Sequence, residues 1–312
     1  MGKAGRRDDT ILVTGATGQI GYEAVRCLTP LGTVVGLTRA DLDLADPVAV
    51  RDAVRRLRPR VIVNAAAYTA VDRAETEPEL VETVNVDAPQ ILAEEAKRLG
   101  ALLVHYSTDY VFDGQKRSPY VETDQTNPLS VYGATKLAGE QAVQTTGGIY
   151  VILRTSWVYG ARGTNFLRTM LRLAREREEM RVVNDQVGAP TWSRSIASVT
   201  ADIVGHELTR GEEFGEGLAG LFHLSAAGET TWYDFARCIL EKDPRREEQK
   251  CRRITPISSD EFAAESKRSV ARRPAYSVLD NAAFGDRFRQ SLLDWRQPLD
   301  SVLAEWYDGA AR

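Results

Sequence analysis

Cysteine and histidine are both scarce in this sequence, and neither forms a cluster. The 312 residues contain three cysteines, which lie far apart and form no CxxC motif: Cys27, Cys238 and Cys251. This pattern predicts a reduced, cytoplasmic protein in which the thiols are incidental. The three histidines are equally dispersed: His105, His206 and His223. They form no ligand set, so we expect structural roles for them and predict no metal site.

The sequence also lacks long apolar runs and an excess of one charge. No apolar stretch approaches the length that spans a bilayer. The formal net charge is -4 and the pI is about 5.6. Basic stretches such as 51–60 and 245–253 are short and contain acidic residues, which is typical of solvated helix faces. We therefore expect neither a nucleic acid nor a membrane as a partner.

The composition is that of a globular protein with enough apolar material for a sizeable core, because 43% of residues are hydrophobic and 27% are charged. A chain of this length fits one dinucleotide-binding domain with a smaller appended lobe. Residues 1–9 are polar and lack the apolar segment of a signal peptide, so we expect a disordered tail there.

Short β-branched runs alternate with helical patterns in the first half of the chain. Five strands are predicted, at Thr10–Val13, Thr33–Leu37, Val61–Asn64, Leu102–Tyr106 and Tyr150–Thr155. Asp46 is placed to cap a helix whose first residue is Pro47. Such alternation implies right-handed crossovers and a parallel sheet covered on both faces. We predict a Rossmann-type, doubly wound α/β domain over residues 10–160.

The second half is less regular and is predicted to be mainly a smaller C-terminal substrate-binding lobe over residues 161–312. Helices are expected at Asn165–Glu178, Ser193–His206 and Trp232–Leu240, separated by loops rich in Gly, Pro and Thr. The boundary is diffuse, because the sheet can recruit segments near 180–224, including a late strand at Leu221–Leu224.

A glycine-rich turn follows the first predicted strand. Gly15 permits a tight turn, Gly18 lets the backbone approach a pyrophosphate, and Gly21 allows the following helix to pack closely on the sheet. The start of that helix then presents free N–H groups to phosphates. The GxxGxxG spacing resembles that of the extended short-chain dehydrogenase/reductase superfamily. Thr38 and Arg39 follow the second strand, where a guanidinium can pair with a 2′-phosphate. We therefore expect NADPH to serve at least as well as NADH.

Tyr132 and Lys136 lie four residues apart, which places both side chains on one face of a helix. A nearby ammonium lowers the pKa of a phenol, so Tyr132 could donate a proton to a carbonyl oxygen that receives a hydride at carbon. Thr108, at the end of the fourth strand, could hydrogen-bond to that oxygen. The glycine turn, the strand-end hydroxyl and the YxxxK pair occur in the order expected of a reductase.

Six ordered segments resemble the dTDP-4-dehydrorhamnose reductase family almost end to end, from Ile11 to about Trp306. They are residues 61–75, 105–114, 131–140, 153–160, 184–191 and 272–280. The resemblance implies NAD(P)H-dependent reduction of the C4 keto group of dTDP-4-dehydro-L-rhamnose to dTDP-L-rhamnose. It also implies a catalytic trio of Thr108, Tyr132 and Lys136.

The resemblance further implies two sets of binding residues. The cofactor-contacting set is Gly15, Gly18, Gln19, Ile20, Gly21, Thr38, Arg39, Asp43, Leu44, Ala65, Ala66, Ala67, Tyr106, Tyr132 and Lys136. The substrate-contacting set is Val71, Asp72, Thr108, Asp109, Tyr110, Trp157, Asn165, Gln186, Pro190, Thr191 and Arg273. Within it, Trp157 could stack on the sugar ring, and Arg273 is the expected partner of the diphosphate.

One departure concerns a magnesium ion that glutamates hold between the subunits of some bacterial members. Glu23 and Glu305 match two of the ligand positions, but the third falls on Arg194. A guanidinium there would repel the metal, so we expect no magnesium site. The homodimer that depends on the metal is then not expected either, and a homodimer of another kind stays open.

Two alternative functions remain open from the sequence. One is another dTDP-4-keto-6-deoxysugar reductase, or an epimerase or dehydratase of the same superfamily. Dehydratases usually need an Asp-Glu pair beside the threonine, whereas here Thr108-Asp109 is followed by Tyr110. The other alternative is a non-catalytic, NADP-binding regulatory subunit, as one relative is for methionine adenosyltransferase. The complete Thr108, Tyr132 and Lys136 set favours an enzyme.

Overall fold

The architecture is described by a computed structural model that covers residues 9–266 and 270–310. Most of the tail expected at residues 1–9 lies outside the described residues. Its last residue, Asp9, accepts a hydrogen bond from Arg60 Nη1 at 2.7 Å. This contact anchors the chain immediately before the first strand.

A six-stranded parallel sheet forms the centre of the molecule. The strands in the described residues are β1 (Thr10–Thr14), β2 (Thr33–Leu37), β3 (Val61–Asn64), β4 (Leu102–Thr108), β5 (Ile149–Thr155), β6 (Val158–Tyr159), β7 (Glu179–Val183), β8 (Val187–Gly188), β9 (Thr191–Trp192), β10 (Gly220–His223), β11 (Thr230–Thr231) and β12 (Arg253–Ile257). The sheet order is β10-β5-β4-β3-β1-β2, and the remaining strands form three two-stranded pairs. The Rossmann-type α/β prediction is confirmed, and the late strand joins the sheet beside β5.

Helices cover both faces of this sheet. Those in the described residues are α1 (Gln19–Leu28), α2 (Pro47–Leu57), α3 (Val71–Ala74), α4 (Pro78–Glu82), α5 (Ala88–Leu99), α6 (Val131–Thr146), α7 (Phe166–Glu176), α8 (Ser193–Thr209), α9 (Trp232–Lys242), α10 (Ser259–Glu265), α11 (Ala282–Phe288) and α12 (Leu299–Ala310). A π-helical turn at Thr83–Asp87 joins α4 to α5. None of these helices is both long and apolar enough to cross a membrane.

Alternating side chains of the central strands enter two separate cores. Ile11 and Val13 of β1 pack in one cluster with residues of α1 and α8, whereas Leu12 packs in a second cluster with residues of α2 and α5. Both clusters are fully shielded from solvent at these positions. Successive side chains of a strand point to opposite faces of the sheet. Because both faces are covered here, residues 11–13 of β1 are all apolar.

A third cluster forms the smaller lobe, around Phe235 and Trp295. It is built from α7, β7, α9 and α12, all of which follow residue 160. Between α7 and α9 the chain returns to the sheet, because α8 packs against α1 and β10 extends the sheet. The two parts of the molecule are therefore interleaved along the sequence.

The helix ends carry the signals expected from the sequence. Asp46 accepts hydrogen bonds from the backbone N–H groups of Val48 and Ala49, both at 3.0 Å, and Pro47 is the first residue of α2. Helix α5 ends at Gly100, whose φ of +64° lies in the left-handed region that glycine tolerates. The first cap fixes the connection from β2 into α2, and the second fixes the connection from α5 into β4.

Candidate active site

The glycine turn connects β1 to α1 at the carboxyl edge of the sheet. Gly15 has a φ of +64°, and a Cβ atom there would lie 2.9 Å from the Cα atom of Ala66. Gly18 adopts an extended conformation before α1 and places no side chain on the first N–H groups of the helix. Helix α1 therefore starts with uncapped backbone donors next to a surface without side chains, which suits a phosphate group.

A cleft of about 670 Å³ opens above this turn. The predicted residues that line it come from the glycine turn, the segments at and after the ends of β2, β3, β4 and β5, the start of α3, and α6. They are Gly15, Gly18, Gln19, Ile20, Arg39, Asp43, Leu44, Ala65, Ala66, Ala67, Val71, Tyr106, Thr108, Asp109, Tyr110, Tyr132, Lys136 and Trp157. The structure thus brings most of the predicted cofactor residues and the predicted catalytic trio into one cavity.

Eight predicted site residues are not among those that line the cleft. They are Gly21, Thr38, Asp72, Asn165, Gln186, Pro190, Thr191 and Arg273. Gly21 packs on the glycine turn, where a Cβ atom would collide with the carbonyl group of Gly15. Pro190 and Thr191 are buried, and the Thr191 hydroxyl donates to the carbonyl oxygen of Ala189 at 3.0 Å. Thr191 is thus already engaged within the lobe.

Tyr132 lies in the first turn of α6, which Ser130 caps by accepting a hydrogen bond from Gly133 N at 3.2 Å. Burial of the phenol raises its pKa to about 12, although a hydrogen bond with Thr108 opposes that change. The lowered pKa that the sequence predicted from Lys136 is therefore not observed in the described structure. The desolvation of the phenol outweighs the other influences, and Tyr132 stays protonated at neutral pH.

Lys136 lies one turn further along α6, with only 2% of the residue exposed. Its Nζ atom donates to the backbone oxygen of Tyr106 at 2.7 Å and lies 3.4 Å from His105 Nε2. Burial lowers the pKa of Lys136 to about 8, because a charged ammonium loses hydration there, while Glu140 opposes the shift. The ammonium is thus held by β4 rather than directed only at Tyr132.

The end of β4 presents Thr108, Asp109 and Tyr110 to the cleft. Thr108 Oγ1 donates to Asp109 Oδ1 and accepts from Tyr110 N, both at 3.1 Å. Asp109 is 2% exposed, and burial raises its pKa to about 7 in spite of hydrogen bonds with Ser277 and Thr108. The ring of Tyr110 meets that of Tyr132 edge to face, with 5.7 Å between centroids. The hydroxyl of Thr108, the carboxyl group of Asp109 and the ring of Tyr110 therefore surround the phenol of Tyr132.

The part of the cleft that the sequence predicts to bind the adenosine of the cofactor lies after β2. Arg39 is exposed, and its Nη2 atom lies 3.9 Å from Asp43 Oδ2. Thr38 is occupied locally, because its hydroxyl donates to Asp41 Oδ2 at 2.7 Å. Because the side chain of Arg39 is 80% exposed, its guanidinium can exchange the ion pair with Asp43 for a phosphate placed at this end of the cleft.

Arg273, the predicted diphosphate partner, is tied to another predicted site residue. Its Nη2 atom donates to Asp72 Oδ1 at 2.8 Å, and Ala271 N donates to the same oxygen at 3.1 Å. Arg273 also hydrogen-bonds to Tyr110, which opposes the large rise that burial causes in the pKa of that phenol. Arg273 therefore links the smaller lobe to the wall of the cleft.

An aromatic pair that the sequence did not predict closes the other side of the cleft. The indoles of Trp157 and Trp232 stack with 3.5 Å between centroids and 5° between planes, and both line the cleft. Trp157 has a φ of +46°, which is unusual for a residue with a side chain. Gln186 holds the pair, because Trp232 Nε1 donates to its Oε1 atom at 3.1 Å. Sequence reasoning placed Trp232 on a helix but gave it no role.

Asn165 connects the smaller lobe to the glycine turn. It caps α7 by accepting a hydrogen bond from Arg168 N at 3.1 Å, and its Nδ2 atom donates to Gln19 Oε1 at 3.0 Å. Gln19 in turn donates to the carbonyl oxygen of Val158 at 3.3 Å. Asn165 thus acts through Gln19 at the edge of the cleft rather than from its lining.

A cluster of ion pairs occupies the three positions that correspond to magnesium ligands in some family members, Glu23, Arg194 and Glu305. Arg194 Nε lies 2.9 Å from Glu23 Oε2, and Arg194 Nη2 lies 2.6 Å from Glu305 Oε1. Arg26 adds a second guanidinium, 3.3 Å from Glu23 and 3.6 Å from Glu305. The two carboxylates are therefore neutralised by arginines of the same chain, which explains physically why a divalent cation does not suit this place.

Comparison with known proteins gives a consistent result over nearly the whole chain. Residues 9–307 match the family model described as the RmlD substrate binding domain. A dTDP-4-dehydrorhamnose reductase from Burkholderia thailandensis is 50% identical over 289 residues, covering 92% of this chain and 95% of the relative. A dTDP-4-keto-6-deoxy-D-glucose reductase from Streptomyces niveus is 40% identical, covering 93% and 95%.

A solved structure agrees with these sequence matches. The crystal structure of dTDP-4-dehydrorhamnose reductase from Bacillus anthracis in complex with NADP superposes with a TM-score of 0.85 at 33% identity. The match covers 96% of this chain and 100% of that one. The fold and the tyrosine–lysine cleft define a Rossmann-type protein of the short-chain dehydrogenase/reductase class. Within that class, the chain belongs to the RmlD family.

Proposed function

We propose that this chain is an NAD(P)H-dependent oxidoreductase that reduces the C4 keto group of dTDP-4-dehydro-L-rhamnose to give dTDP-L-rhamnose. The observation that carries the proposal is that Thr108, Tyr132 and Lys136 line the same cleft as the glycine turn. A proton donor and a dinucleotide-type turn within one cavity are what carbonyl reduction by a nicotinamide requires. The family membership supports this reading of the cavity.

The glycine turn fits a dinucleotide. Its left-handed Gly15 and the uncapped start of α1 leave backbone donors open, and the cleft volume lies within the range of small-molecule sites. Gly15, Gly18 and Gln19 would hold the pyrophosphate, and Arg39 would meet a 2′-phosphate, so NADPH is the expected form. When bound, the reduced nicotinamide supplies the hydride.

Tyr132 supplies the proton. Because burial keeps its phenol protonated at neutral pH, its O–H group can donate to the carbonyl oxygen as negative charge develops there. Thr108 lies beside it with a hydroxyl that can hydrogen-bond to the same oxygen. The ammonium of Lys136 adds positive charge near the phenolate that forms, which favours the transfer.

The smaller lobe would bind the nucleotide part of the substrate. Arg273 provides a guanidinium for the diphosphate, and its present partner Asp72 is 45% exposed at the side chain, so water can solvate that carboxylate when the pair opens. The stacked indoles of Trp157 and Trp232 give a flat apolar surface suited to a sugar face or a base.

The purified chain, NADPH and dTDP-4-dehydro-L-rhamnose provide the direct test. We expect the absorbance of the reduced nicotinamide to fall only when the ketosugar is present, and we expect NMR to identify dTDP-L-rhamnose as the product. A UDP-linked 4-ketosugar and a dTDP-linked 4-ketosugar of opposite configuration at C5 serve as matched controls. No turnover with any nucleotide-linked 4-ketosugar, together with tight NADPH binding, would favour the regulatory-subunit alternative and contradict the proposal.

A second candidate is reduction of a different dTDP-4-keto-6-deoxysugar. The similarity to the Streptomyces niveus relative favours keeping it, because that protein bears the name of such a reductase. The product NMR separates the two, since they differ in the configuration of the reduced sugar. Homodimer formation and a cytoplasmic location stay predictions.

A further inference from the structure

A row of three polar side chains crosses the sheet beneath the cleft. Thr14, Asn64 and His105 are register partners on the adjacent strands β1, β3 and β4. Each is at most 2% exposed. They continue the sheet face that carries Leu12 and Leu103, which is otherwise apolar. Burying three polar groups in this way is costly unless each of them is hydrogen-bonded.

The row is hydrogen-bonded from one end to the other. Thr14 Oγ1 lies 2.7 Å from Asn64 Oδ1, and Asn64 Nδ2 lies 3.0 Å from His105 Nδ1. His105 Nε2 lies 3.4 Å from Lys136 Nζ. At the other end, Thr14 Oγ1 accepts a hydrogen bond from Ala66 N at 3.2 Å. The row therefore connects Lys136 on α6 with the turn that follows β3 on the floor of the cleft.

His105 can serve only as a neutral group in this row. Burial and the neighbouring ammonium of Lys136 hold the pKa of His105 well below its ordinary value. An ammonium has no acceptor, so Nε2 must accept from Nζ while Lys136 is charged, and the imidazole proton must reside on Nδ1. An Asn64 amide rotated by 180° then accepts that proton and donates to Thr14 Oγ1, so the Thr14 hydroxyl no longer donates to Asn64. The unrotated amide suits a neutral Lys136.

We propose that His105, backed by Asn64, is a positioning residue that holds the Lys136 ammonium at the wall of the cleft and ties it to the turn at residues 65–67. The inference rests on the proposed function, because it takes Lys136 as the residue that supports proton donation. Lys136 Nζ otherwise has only the backbone oxygen of Tyr106 as a hydrogen-bond acceptor in the described structure. His105 thus fixes a second direction of the ammonium.

Other charged groups packed near the pair are already engaged. Glu140, on α6, faces Lys136 but is bound by Arg154 from β5, with 2.7 Å between Arg154 Nη2 and Glu140 Oε2, and by Ser107 from β4. Asp109, at the end of β4, acts on Tyr132 rather than on Lys136. A change at His105 should therefore be reported mainly by Lys136.

Two variants of His105 test the proposal. His105→Phe keeps the volume but removes the acceptor, so the charged form of Lys136 loses a partner and its pKa should fall. We expect the alkaline limit of NADPH binding, followed by fluorescence without ketosugar, to move about one unit lower in pH. The kcat of ketosugar reduction should fall about tenfold. His105→Gln, which can place an oxygen near the position of Nε2, should restore most of both.

The same alkaline limit in His105→Phe as in the unchanged chain, or an equal shift in both variants, would overturn the proposal. If His105→Phe does not fold, nitrogen NMR of the unchanged chain decides, because it reads the His105 tautomer directly. We expect a neutral ring with the proton on Nδ1 at pH 6.5, and a proton on Nε2 at that pH would contradict us. Neither binding nor NMR needs the ketosugar, so a failure of the proposed reduction is seen separately.

Discussion

The floor and the rim of the cleft are built in different ways. On the floor, Lys136 and Thr108 are at most 5% exposed, and their side chains are hydrogen-bonded to the backbone of Tyr106 and Tyr110. At the rim, the side chains of Arg39 and Asp72 are 80% and 45% exposed and take part in ion pairs. The floor is therefore preorganised for chemistry, whereas the rim can exchange its ion pairs for contacts with a charged ligand.

The largest effect at the rim is expected for Arg273→Leu. Removing the guanidinium should raise the KM for the dTDP-sugar about 10- to 100-fold, because a hydrogen bond to a charged group contributes about 1.5–3 kcal/mol. The kcat should change little, since the proton donor is untouched. Steady-state kinetics of Arg272→Leu, an exposed neighbour, provide the matched control. Equal changes in the two variants would show that Arg273 does not recognise the substrate specifically.

The burial of Asp109 on the floor of the cleft should make the free energy of unfolding depend on pH. The folded pKa of Asp109, about 7, lies above that of an exposed aspartate. Its contribution to the free energy of unfolding is therefore fully present below about pH 4 and is lost as the pH rises toward 7, at about 1.4 kcal/mol per pH unit. Asp109→Asn lacks this loss. Urea unfolding between pH 5 and 8 should show the variant gaining on the unchanged chain up to about pH 7 and levelling off above it.

A parallel pH dependence of stability in the two proteins would mean that water reaches Asp109 and that the floor is less closed than the comparison assumes. The kinetics of Asp109→Asn should be recorded at the same pH values, since Thr108 donates to this carboxyl group.

The smallest effect is expected for Arg39→Ser. An exposed guanidinium contributes only about 1 kcal/mol to binding a phosphate, so the ratio of kcat/KM for NADPH to that for NADH should fall about fivefold. The value for NADH itself should stay unchanged. Arg56→Ser, on the exposed face of α2, is the control. A strong NADH preference in the unchanged chain would already contradict the role given to Arg39.

Local signals made the central fold predictable. Glycine spacing gave the turn at Gly15, and the Asp46-Pro47 pair gave the start of α2, because each depends on neighbouring residues alone. The strand after Gly220 was recognisable from its apolar run. The strand pairs β6–β9 and β7–β12 were not recognisable from the sequence. They contain only two and five residue pairs and join segments that are distant in sequence, so they leave no periodic pattern.

The site was predictable where order along the chain sufficed, as for Tyr132 and Lys136. Partners distant in sequence were not: nothing near Arg273 indicates that Asp72 binds it, and nothing near Trp232 indicates that it stacks on Trp157. His105 was taken as merely structural, although it contacts Lys136. The sequence did offer a signal for this contact, because polar residues stand near the ends of three mostly apolar strands: Thr14, Asn64 and His105. The pKa of Tyr132 is raised rather than lowered, because desolvation of the buried phenol depends on tertiary packing that the spacing of Tyr132 and Lys136 does not reveal.

The most direct test of the account is a single-turnover measurement of Tyr132→Phe with bound NADPH and dTDP-4-dehydro-L-rhamnose. The variant removes the proton donor but little volume, so hydride transfer should slow by about 100-fold or more while the Kd for NADPH stays within about twofold. Hydride transfer at the rate of the unchanged chain would contradict the central claim that the buried phenol of Tyr132 protonates the reacting oxygen.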